Sequence, residues 1–375
     1  MMQVSRAVKL LACSVVALAL SDCGASHQRV PGSQPPLATV TPLDRASNGI
    51  QALQSWYSQS SGLYQSTGWW NSANAITVLV NYERAAKTHQ YDPVLANTFS
   101  AAQAGGGHPG FINQYYDDEG WWALAWIDAY DFTGRPEYLQ MAESIFADMT
   151  SGWDSVCNGG SWWSKARSYK NAIANELFLS VAAHLANRDA GNRAQYLDWA
   201  NREWAWFAAS GMINGNNLIN DGLTINSSTG ACANNGATTW SYNQGVVLGG
   251  LAELSKLEAD PSLAQAADKI ATAATTTLAD SNGILHDHCE PNCGADGVQF
   301  KGIFVRNLLD WYNISSNRAA YATFITNNAN AIWASDQGAN FDFGQVWSGP
   351  YSGSNAGTQS SALDALVSAA ALAGH

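Results

Sequence analysis

Residues 119–150 read EGWWALAWIDAYDFTGRPEYLQMAESIFADMT, and this stretch decides the fold. Apolar residues recur at helical spacing on both sides of the link 133–135. Pro136 stands early in the second half, where a helix start tolerates proline. The pattern therefore predicts two helices, at 119–133 and 136–150, joined by a tight turn into a helical hairpin.

The same periodicity recurs along the chain, whereas convincing strand patterns are nearly absent. The predicted helices lie at 44–60, 72–88, 92–102, 119–133, 136–150, 170–187, 191–209, 240–258, 261–279, 298–314, 316–334 and 359–373. Links within a pair are short, and links between pairs are long and rich in Gly, Asn, Ser and Trp. This alternation predicts an all-α (α/α)6 barrel of six helical hairpins. Its long links would gather at one end, where functional sites commonly lie.

A weak internal repeat supports the barrel. Paired tryptophans follow a small residue at 68–70, 120–122 and 161–163, each near the start of a predicted inner helix or in the loop before it. A unit that recurs about every 50 residues fits a ring of helical hairpins. The simplest interpretation is a single catalytic domain over residues 44–375.

The N-terminal residues 1–23 resemble a secretory signal, with a short basic region followed by the apolar run 10–20. Cys23 stands where a bacterial lipoprotein carries its lipidated cysteine, but Asp22 replaces the usual small residue before it. A lipid anchor at Cys23 and simple cleavage therefore both stay open. The proline-containing segment 24–43 predicts a flexible tether. We expect an exported protein that is periplasmic, bound to the cell surface or secreted.

The composition narrows the classes of function. Charged residues make up 13% of the chain and tryptophan occurs 16 times, which is the opposite of a disordered composition. The net charge of −12 argues against binding to nucleic acid, whose phosphates would be repelled. No P-loop, HExxH or GxSxG motif is present. We expect a monomer that needs no cofactor.

Four cysteines lie beyond the signal: Cys157, Cys232, Cys289 and Cys293. An even number in an exported protein predicts two disulfides, and we favour Cys157–Cys232 and Cys289–Cys293 among the three possible pairings. The alternative is a metal site that combines the segment 286–289 with Cys293, because zinc uses His, Asp and Cys ligands. The spacing matches no zinc pattern known to us, so we predict no metal.

The densest group of acids is Asp117, Asp118 and Glu119, which directly precedes an aromatic helix. One acid at this position is explained by capping, because carboxylates interact favourably with a helix N-terminus. Three acids exceed that need, and glycoside hydrolysis requires two carboxyl groups. Neighbouring carboxylates can lie about 5 Å apart, which is the separation for retention of configuration. Their repulsion would separate their pKa values, so that one is ionised while the other keeps its proton.

Aromatic side chains near the long links are candidates for stacking on pyranose rings: Trp69, Trp70, Tyr115, Tyr116, Trp162 and Trp163. The alternative for each is packing in the core, where tryptophan is commonly buried. Polar residues at predicted inner-helix starts are candidates for hydrogen bonds to sugar hydroxyls: Lys170, Asn171, Asn175, Tyr242, Asn243, Gln244 and Lys301. Each of these could equally bind exposed loop backbone.

Several segments, in order, resemble glycoside hydrolase family 76, the endo-α-1,6-mannanases. They are YYDDEGWWALAWIDAYDFTGRPEYL at 115–139, CNGGSWWSKARSYKNAIANELF at 157–178, WSYNQGVVLGGLAEL at 240–254 and DGVQFKGIFVRNL at 296–308. The resemblance implies an (α/α)6 barrel and a retaining, endo-acting hydrolase of α-1,6-mannan. Carried over, Asp117 would be the nucleophile that forms a glycosyl-enzyme, and Asp118 would be the acid/base.

Two other functions remain open on the sequence alone. A transglycosylase would use the same aspartate pair and pass the glycosyl group to a sugar acceptor instead of water. A surface glycan-binding protein would keep the barrel without turnover. In all three cases the expected partner is an α-mannan polysaccharide or oligosaccharide. A third alternative is a lyase or an exo-acting enzyme on another glycan, and the scarcity of basic residues in the predicted loops argues against anionic uronate substrates.

Overall fold

The computed structural model describes residues 40–374, which form twelve α-helices and two short two-stranded antiparallel sheets. The helices are α1 (Pro42–Gln54), α2 (Trp69–Ala86), α3 (Asp92–Gly105), α4 (Tyr116–Thr133), α5 (Pro136–Met149), α6 (Ala172–Arg188), α7 (Arg193–Ala209), α8 (Ser241–Ser255), α9 (Pro261–Thr277), α10 (Phe300–Tyr312), α11 (Arg318–Ser335) and α12 (Ala356–Ala373). The strands are β1 (Tyr57–Ser58), β2 (Leu63–Tyr64), β3 (Leu223–Ile225) and β4 (Cys232–Asn234). Among these described helices, none is both long and apolar enough to cross a membrane.

The even-numbered helices form a closed inner ring. Helices α2, α4, α6, α8, α10 and α12 each pack against the next, and α12 returns to α2. Helices α5, α7 and α9 pack on the outside of the inner helices that precede them, α11 packs on α10 and α12, and α1 packs on α12. The predicted (α/α)6 barrel is therefore confirmed, and the first and last helices of the domain pair to close it.

Burial distinguishes the two rings. In α8 every residue from Ser241 to Leu254 is buried, because this helix has neighbours on all sides. In α9 the buried residues occupy one stripe, which is typical of a helix with one face in water. Inner helices also approach closely: a Cβ on Gly245 would lie 2.5 Å from the Cα of Phe304 in α10.

A repeated hydrogen bond fixes the loops to the inner helices. The fourth residue of five inner helices accepts a bond from a backbone N–H of the preceding loop. These residues are Ser72, Glu119, Asn175, Gln244 and Gln359, and their donors are Tyr64, Asn113, Ser161, Ile219 and Phe343. Buried backbone groups need such partners, so these positions hold the loops in place.

All inner helices run in the same direction, so the barrel has an N-terminal mouth and a C-terminal mouth. Charged residues near the helix ends surround a polar cavity of about 330 Å³ at the C-terminal mouth, among them Arg84, Asp131, Arg188, Glu253 and Asp310. Leu43 and Gly374 together line a neighbouring cavity. The described chain therefore enters and leaves the barrel at the C-terminal mouth.

Helix boundaries differ from the prediction in two places that matter. The helix predicted at 44–60 ends at Gln54, and the hairpin of β1 and β2 follows it. Helix α4 begins at Tyr116 instead of residue 119, because the backbone N–H of Tyr116 donates to the Trp163 carbonyl at 3.0 Å, outside the helix. Asp117 and Asp118 consequently belong to the first turn of α4.

The predicted signal at 1–23, with Cys23, lies outside the described residues, as does most of the tether predicted at 24–43. At its end the structure differs from that prediction. Helix α1 already begins at Pro42, because Thr41 and Asp44 form a reciprocal cap with bonds of 2.9 and 3.1 Å.

Disulfides join Cys157 to Cys232 and Cys289 to Cys293, which are the pairings that the sequence analysis favoured. The sulfur atoms of Cys289 and Cys293 are bonded to each other and so provide no thiolate for zinc. Within residues 40–374, no group of three or more His, Cys, Asp or Glu side chains is arranged to hold a metal ion.

Candidate active site

A cleft of about 550 Å³ opens at the N-terminal mouth of the barrel. It is lined by Trp70, Tyr115, Asp117, Asp118, Trp121, Trp163, Tyr169, Asn171, Asp221, Tyr242, Asp296 and Phe300. Most of these residues lie in, or directly before, the first turns of α2, α4, α6, α8 and α10. Four of them are carboxylates, and no Lys, Arg or His of the described chain is among them.

Asp117 is the second residue of α4. Its Oδ2 accepts a hydrogen bond from Trp163 Nε1 at 2.9 Å, while its Oδ1 is buried without a partner. Burial raises the pKa of Asp117 well above its ordinary value, and the charge of Asp118 raises it further. The bond from Trp163 opposes this rise, because it stabilises the ionised form.

Asp118 follows on the next helical position, and its Oδ2 accepts from Asn113 Nδ2 at 2.7 Å. Burial raises the pKa of Asp118 to about 6; the bond from Asn113 lowers it and the charge of Asp296 raises it. Two adjacent carboxyls with raised pKa values can keep a proton at mildly acidic pH. That is the condition an acid catalyst of glycoside cleavage requires.

Glu119, the third acid of the cluster, has a different role. It is fully buried, accepts the Asn113 backbone N–H at 3.0 Å and lies 3.0 Å from Lys165 Nζ. Burial raises the pKa of Glu119 to about 8, against the opposing effect of Lys165. Glu119 therefore anchors Asn113, which in turn holds Asp118.

The loop before α6 places Trp163 against the start of α4. The backbone N–H of Trp163 donates to the Tyr169 carbonyl at 2.8 Å, and its carbonyl accepts from Tyr116 at 3.0 Å. The Trp163 ring lies 4.9 Å from the exposed ring of Tyr115, measured between centroids. Its indole N–H consequently points at the Asp117 carboxylate.

A row of near-parallel aromatic rings runs beside the carboxylates. The distances between ring centroids are 3.8 Å for Phe300 and Tyr242, 6.5 Å for Tyr242 and Trp121, and 5.6 Å for Trp121 and Trp70. The angles between the ring planes are 12°, 24° and 25° in the same order. Trp70 Nε1 donates to Asp296 Oδ1 at 3.0 Å, which fixes that acid at the end of the row. Aromatic faces beside polar groups suit a sugar, whose rings have apolar C–H faces and polar edges.

The structure brings some of the predicted residues together and separates others from the cleft. Those that line it are Asp117, Asp118, Trp70, Tyr115, Trp163, Asn171 and Tyr242. Those that do not are Trp69, Tyr116, Trp162, Lys170, Asn175, Asn243, Gln244 and Lys301.

The two lysines have partners inside the protein. Lys170 is fully buried, and its Nζ donates to Asp154 Oδ1 at 2.8 Å and to three backbone carbonyls between Val156 and Gly160. Lys301 donates to the Gln345 carbonyl at 2.7 Å. Both lysines hold loops, which is the alternative that the sequence left open for them.

The other predicted residues that do not line the cleft are also buried in or bonded to other parts of the protein. Asn175 and Gln244 belong to the repeated bonds between loops and inner helices. The hydroxyl groups of Tyr116 and Ser151 share a hydrogen bond of 3.1 Å. The Trp162 indole N–H donates to Asp154 Oδ2 at 2.7 Å. The centroid of the Trp69 ring lies 4.3 Å from that of the His108 ring. Asn243 is fully buried, and its amide atoms have no partner.

Sequence reasoning missed five residues that line the cleft: Trp121, Tyr169, Asp221, Asp296 and Phe300. Trp121 has helical spacing with Trp122 and Trp126, which indicates a core position, and it is indeed only 3% exposed. Asp221 and Asp296 had a usable signal, because each directly precedes a glycine in a long link between helices.

Sequence and structure comparisons relate the chain to known proteins. The family model for glycosyl hydrolase family 76 matches residues 43–374. The chain is 26% identical over 331 residues to mannan endo-1,6-alpha-mannosidase DCW1 of Candida albicans, covering 80% of this chain and 72% of that protein. It is 29% identical over 287 residues to mannan endo-1,6-alpha-mannosidase DCW1 of Saccharomyces cerevisiae, covering 68% of this chain and 60% of that protein.

A solved structure has the same fold. The α-1,6-mannanase GH76A of Salegentibacter sp. HEL1_6 superposes with a TM-score of 0.81 at 20% identity, covering 88% of this chain and 99% of that one. It is an inactive variant with two consecutive aspartates replaced by alanine, in complex with α-1,6-mannotetrose. The predicted family and the predicted enzyme class, a glycoside hydrolase, are thus confirmed. The chain belongs to glycosyl hydrolase family 76.

Proposed function

We propose that the protein is a retaining, endo-acting hydrolase that cleaves α-1,6-mannosidic bonds in mannan through a covalent glycosyl-enzyme. The observation that carries the proposal is the position of Asp117 and Asp118, adjacent in the first turn of α4 and both lining one cleft. The names of the relatives support the substrate, since they act as mannan endo-1,6-alpha-mannosidases. The mannanase inactivated at two consecutive aspartates supports the pair.

In the proposed reaction, Asp117 attacks the anomeric carbon while Asp118 donates its proton to the leaving glycosidic oxygen. One part of the chain departs, and the other stays bound to Asp117 as an ester. Asp118, now ionised, takes a proton from water, and the water oxygen attacks the anomeric carbon and releases Asp117. This sequence retains the anomeric configuration.

The pKa shifts bear on this assignment. Burial raises the pKa of both carboxyls, although Asp117 must be ionised to attack. The Trp163 bond favours that ionised form. A bound glycosidic oxygen would accept a hydrogen bond from Asp118 and so favour the proton there. Because the carboxyls titrate as a pair, substrate decides which one keeps the proton.

The first experiment is hydrolysis of linear α-1,6-mannan by the wild type and by Asp117→Asn and Asp118→Asn, with NMR detection of the first anomer released. We expect oligosaccharides as the α-anomer from the wild type, and a loss of about 10³-fold or more in each variant. Release of the β-anomer would rule out retention. Full activity in both variants would place the catalytic pair elsewhere.

A second experiment separates the two roles. Aryl glycosides of α-1,6-mannobiose have good leaving groups and need little acid assistance. With azide, Asp118→Ala should form the retained α-glycosyl azide, because the intermediate still forms. Asp117→Ala should give the inverted β-azide by direct displacement. The reverse pattern would exchange the two assignments.

The same measurements decide between hydrolysis and the two other functions. A transglycosylase would give longer mannan products when an acceptor oligosaccharide is added, and a glycan-binding protein would bind mannan without any turnover. We also propose that the protein is exported and acts as a monomer. Cell fractionation of the wild type and of Cys23→Ser would test the lipid anchor, since loss of the anchor would move the protein out of the membrane fraction.

A further inference from the structure

Phe341 is an exposed aromatic residue with a left-handed backbone. The residue is 38% exposed and its φ is +60°. A residue with a bulky side chain adopts this conformation only at a cost in stability. Backbone strain that the fold does not require is a reason to look for a function.

Two similar turns in the same protein show that the fold does not require phenylalanine here. Turns closed by an antiparallel residue pair follow α7, α9 and α11. The pairs are Ile213 with Ile219, Ala279 with Leu285, and Gln337 with Phe343. The left-handed residue, four positions after the first member of each pair, is Asn217, Gly283 and Phe341 respectively. Asparagine and glycine adopt this conformation at the least cost.

Burial does not account for Phe341 either. Phe111 also has a positive φ, of +57°, but it is fully buried and its ring lies 4.6 Å from that of Trp122. The ring of Phe341 instead lies nearly parallel to that of Trp333, with 5.7 Å between the centroids and 14° between the planes. Phe341 remains exposed despite this contact. Trp333 lies alongside the ring, and the exposed area of Phe341 is available to a ligand.

The loop that carries Phe341 lies on the same face of the barrel as the cleft. It leads into α12 at the N-terminal mouth, and the side chain of Gln359 holds it through the Phe343 N–H at 2.7 Å and the Phe341 carbonyl at 3.1 Å. Further along, the Gln345 carbonyl accepts from Lys301 Nζ at 2.7 Å. Lys301 is the second residue of α10, whose first residue lines the cleft.

We propose that Phe341 and Trp333 form an auxiliary platform that binds a sugar ring of an α-mannan chain, outside the catalytic cleft. This proposal rests on the proposed function for its ligand. A neutral pyranose presents a C–H face to an aromatic ring, and a polymer bound in a cleft on this face can extend across the same surface. Stacking by one ring also explains why a strained phenylalanine occupies a turn that asparagine or glycine would satisfy.

The test uses Asp117→Asn/Asp118→Asn as a parent that binds without cleaving, in native gels with and without linear α-1,6-mannan. Adding Phe341→Asn should weaken retardation by mannan about three- to tenfold, a typical range for the loss of one aromatic contact. The same substitution should leave Tm unchanged or raise it, because asparagine tolerates the left-handed backbone. Asn217→Gly, at the equivalent turn, is the matched control and should not alter retardation.

Two outcomes would overturn the platform. Equal retardation of the parent and of Phe341→Asn would show that the ring does not contact the polymer. A Tm several degrees lower with unchanged retardation would show that Phe341 only stabilises its loop. If the wild type still cleaves mannan in either case, the proposed function stands while the platform is wrong. If the wild type does not cleave α-1,6-mannan, both proposals fail.

Discussion

At the scale of single residues, Asp296 influences one of the two proposed catalytic carboxyls. It is held by Trp70 in the cleft, and its charge raises the pKa of Asp118. We expect Asp296→Asn to lower the pKa of Asp118. Because Asp118 is the proposed acid, the alkaline limb of the kcat/KM profile should move to lower pH. An unmoved limb in Asp296→Asn would show that Asp296 has no such influence on Asp118.

Trp163 acts on the other carboxyl. Its indole N–H is the only side-chain donor to Asp117 among the described residues, and it favours the ionised form. Trp163→Phe keeps an aromatic ring but removes the donor, so the pKa of Asp117 should rise. We expect the acid limb of the profile to move to higher pH and kcat to fall about tenfold or more. Trp204→Phe on the outer helix α7 is a control that should change neither quantity.

The sequence predicted the aspartate pair but only part of its surroundings. Asp117 and Asp118 are neighbours in the chain, so their proximity needs no knowledge of the fold. Asp296 comes from a loop about 180 residues later, and local patterns do not specify which loops meet. Lys170 was a candidate for binding sugar, but it donates to loop carbonyls instead. A polar residue near the start of an inner helix can bind loop backbone as readily as a sugar, and the sequence does not distinguish the two.

At the scale of helices and loops, the bonds from the fourth residues of the inner helices are the feature that positions the site. Gln244 donates to the Ile219 and Trp240 carbonyls at 3.0 and 2.9 Å and accepts from the Ile219 N–H at 2.8 Å. The helical pattern predicted the position of this residue on an inner helix. It did not predict the role, since a buried glutamine and a substrate-binding glutamine look alike in a sequence.

We expect Gln244→Ala to lower the free energy of unfolding by about 2–4 kcal/mol, because it leaves buried backbone groups of Ile219 without partners and opens a cavity. Urea denaturation measures this change. Gln51→Ala, at an exposed position of α1, should change stability by about 0.5 kcal/mol or less. A similar small change in both variants would mean that the loop finds other partners.

At the scale of the whole molecule, the two disulfides should differ in effect. Cys157 and Cys232 are 75 residues apart, whereas Cys289 and Cys293 are 4 apart. Loop-closure entropy predicts a loss of about 4 kcal/mol for Cys157→Ser/Cys232→Ser and about 2 kcal/mol for Cys289→Ser/Cys293→Ser. Chemical denaturation of both double variants tests the order. Equal losses would show that closure entropy is not the dominant contribution.

The barrel itself was predictable because helical periodicity and alternating link lengths are both local properties. The way in which the barrel closes was harder to predict. Helix α1 packs on α12, at the other end of the sequence, and the spacing of apolar residues does not say which helix a face will meet. The six-fold count still constrains the answer, because a ring of paired helices leaves the first and last helices to complete each other.

The two ends of the domain lie at the mouth opposite the carboxylates, where Leu43 and Gly374 line one cavity. If the protein were attached to a surface by either end, the cleft with the carboxylates would therefore point toward the medium. A long polysaccharide could then approach from outside without passing the attachment point. For the same reason, a reporter protein fused before Pro42 or after Gly374 would leave the path of the glycan free.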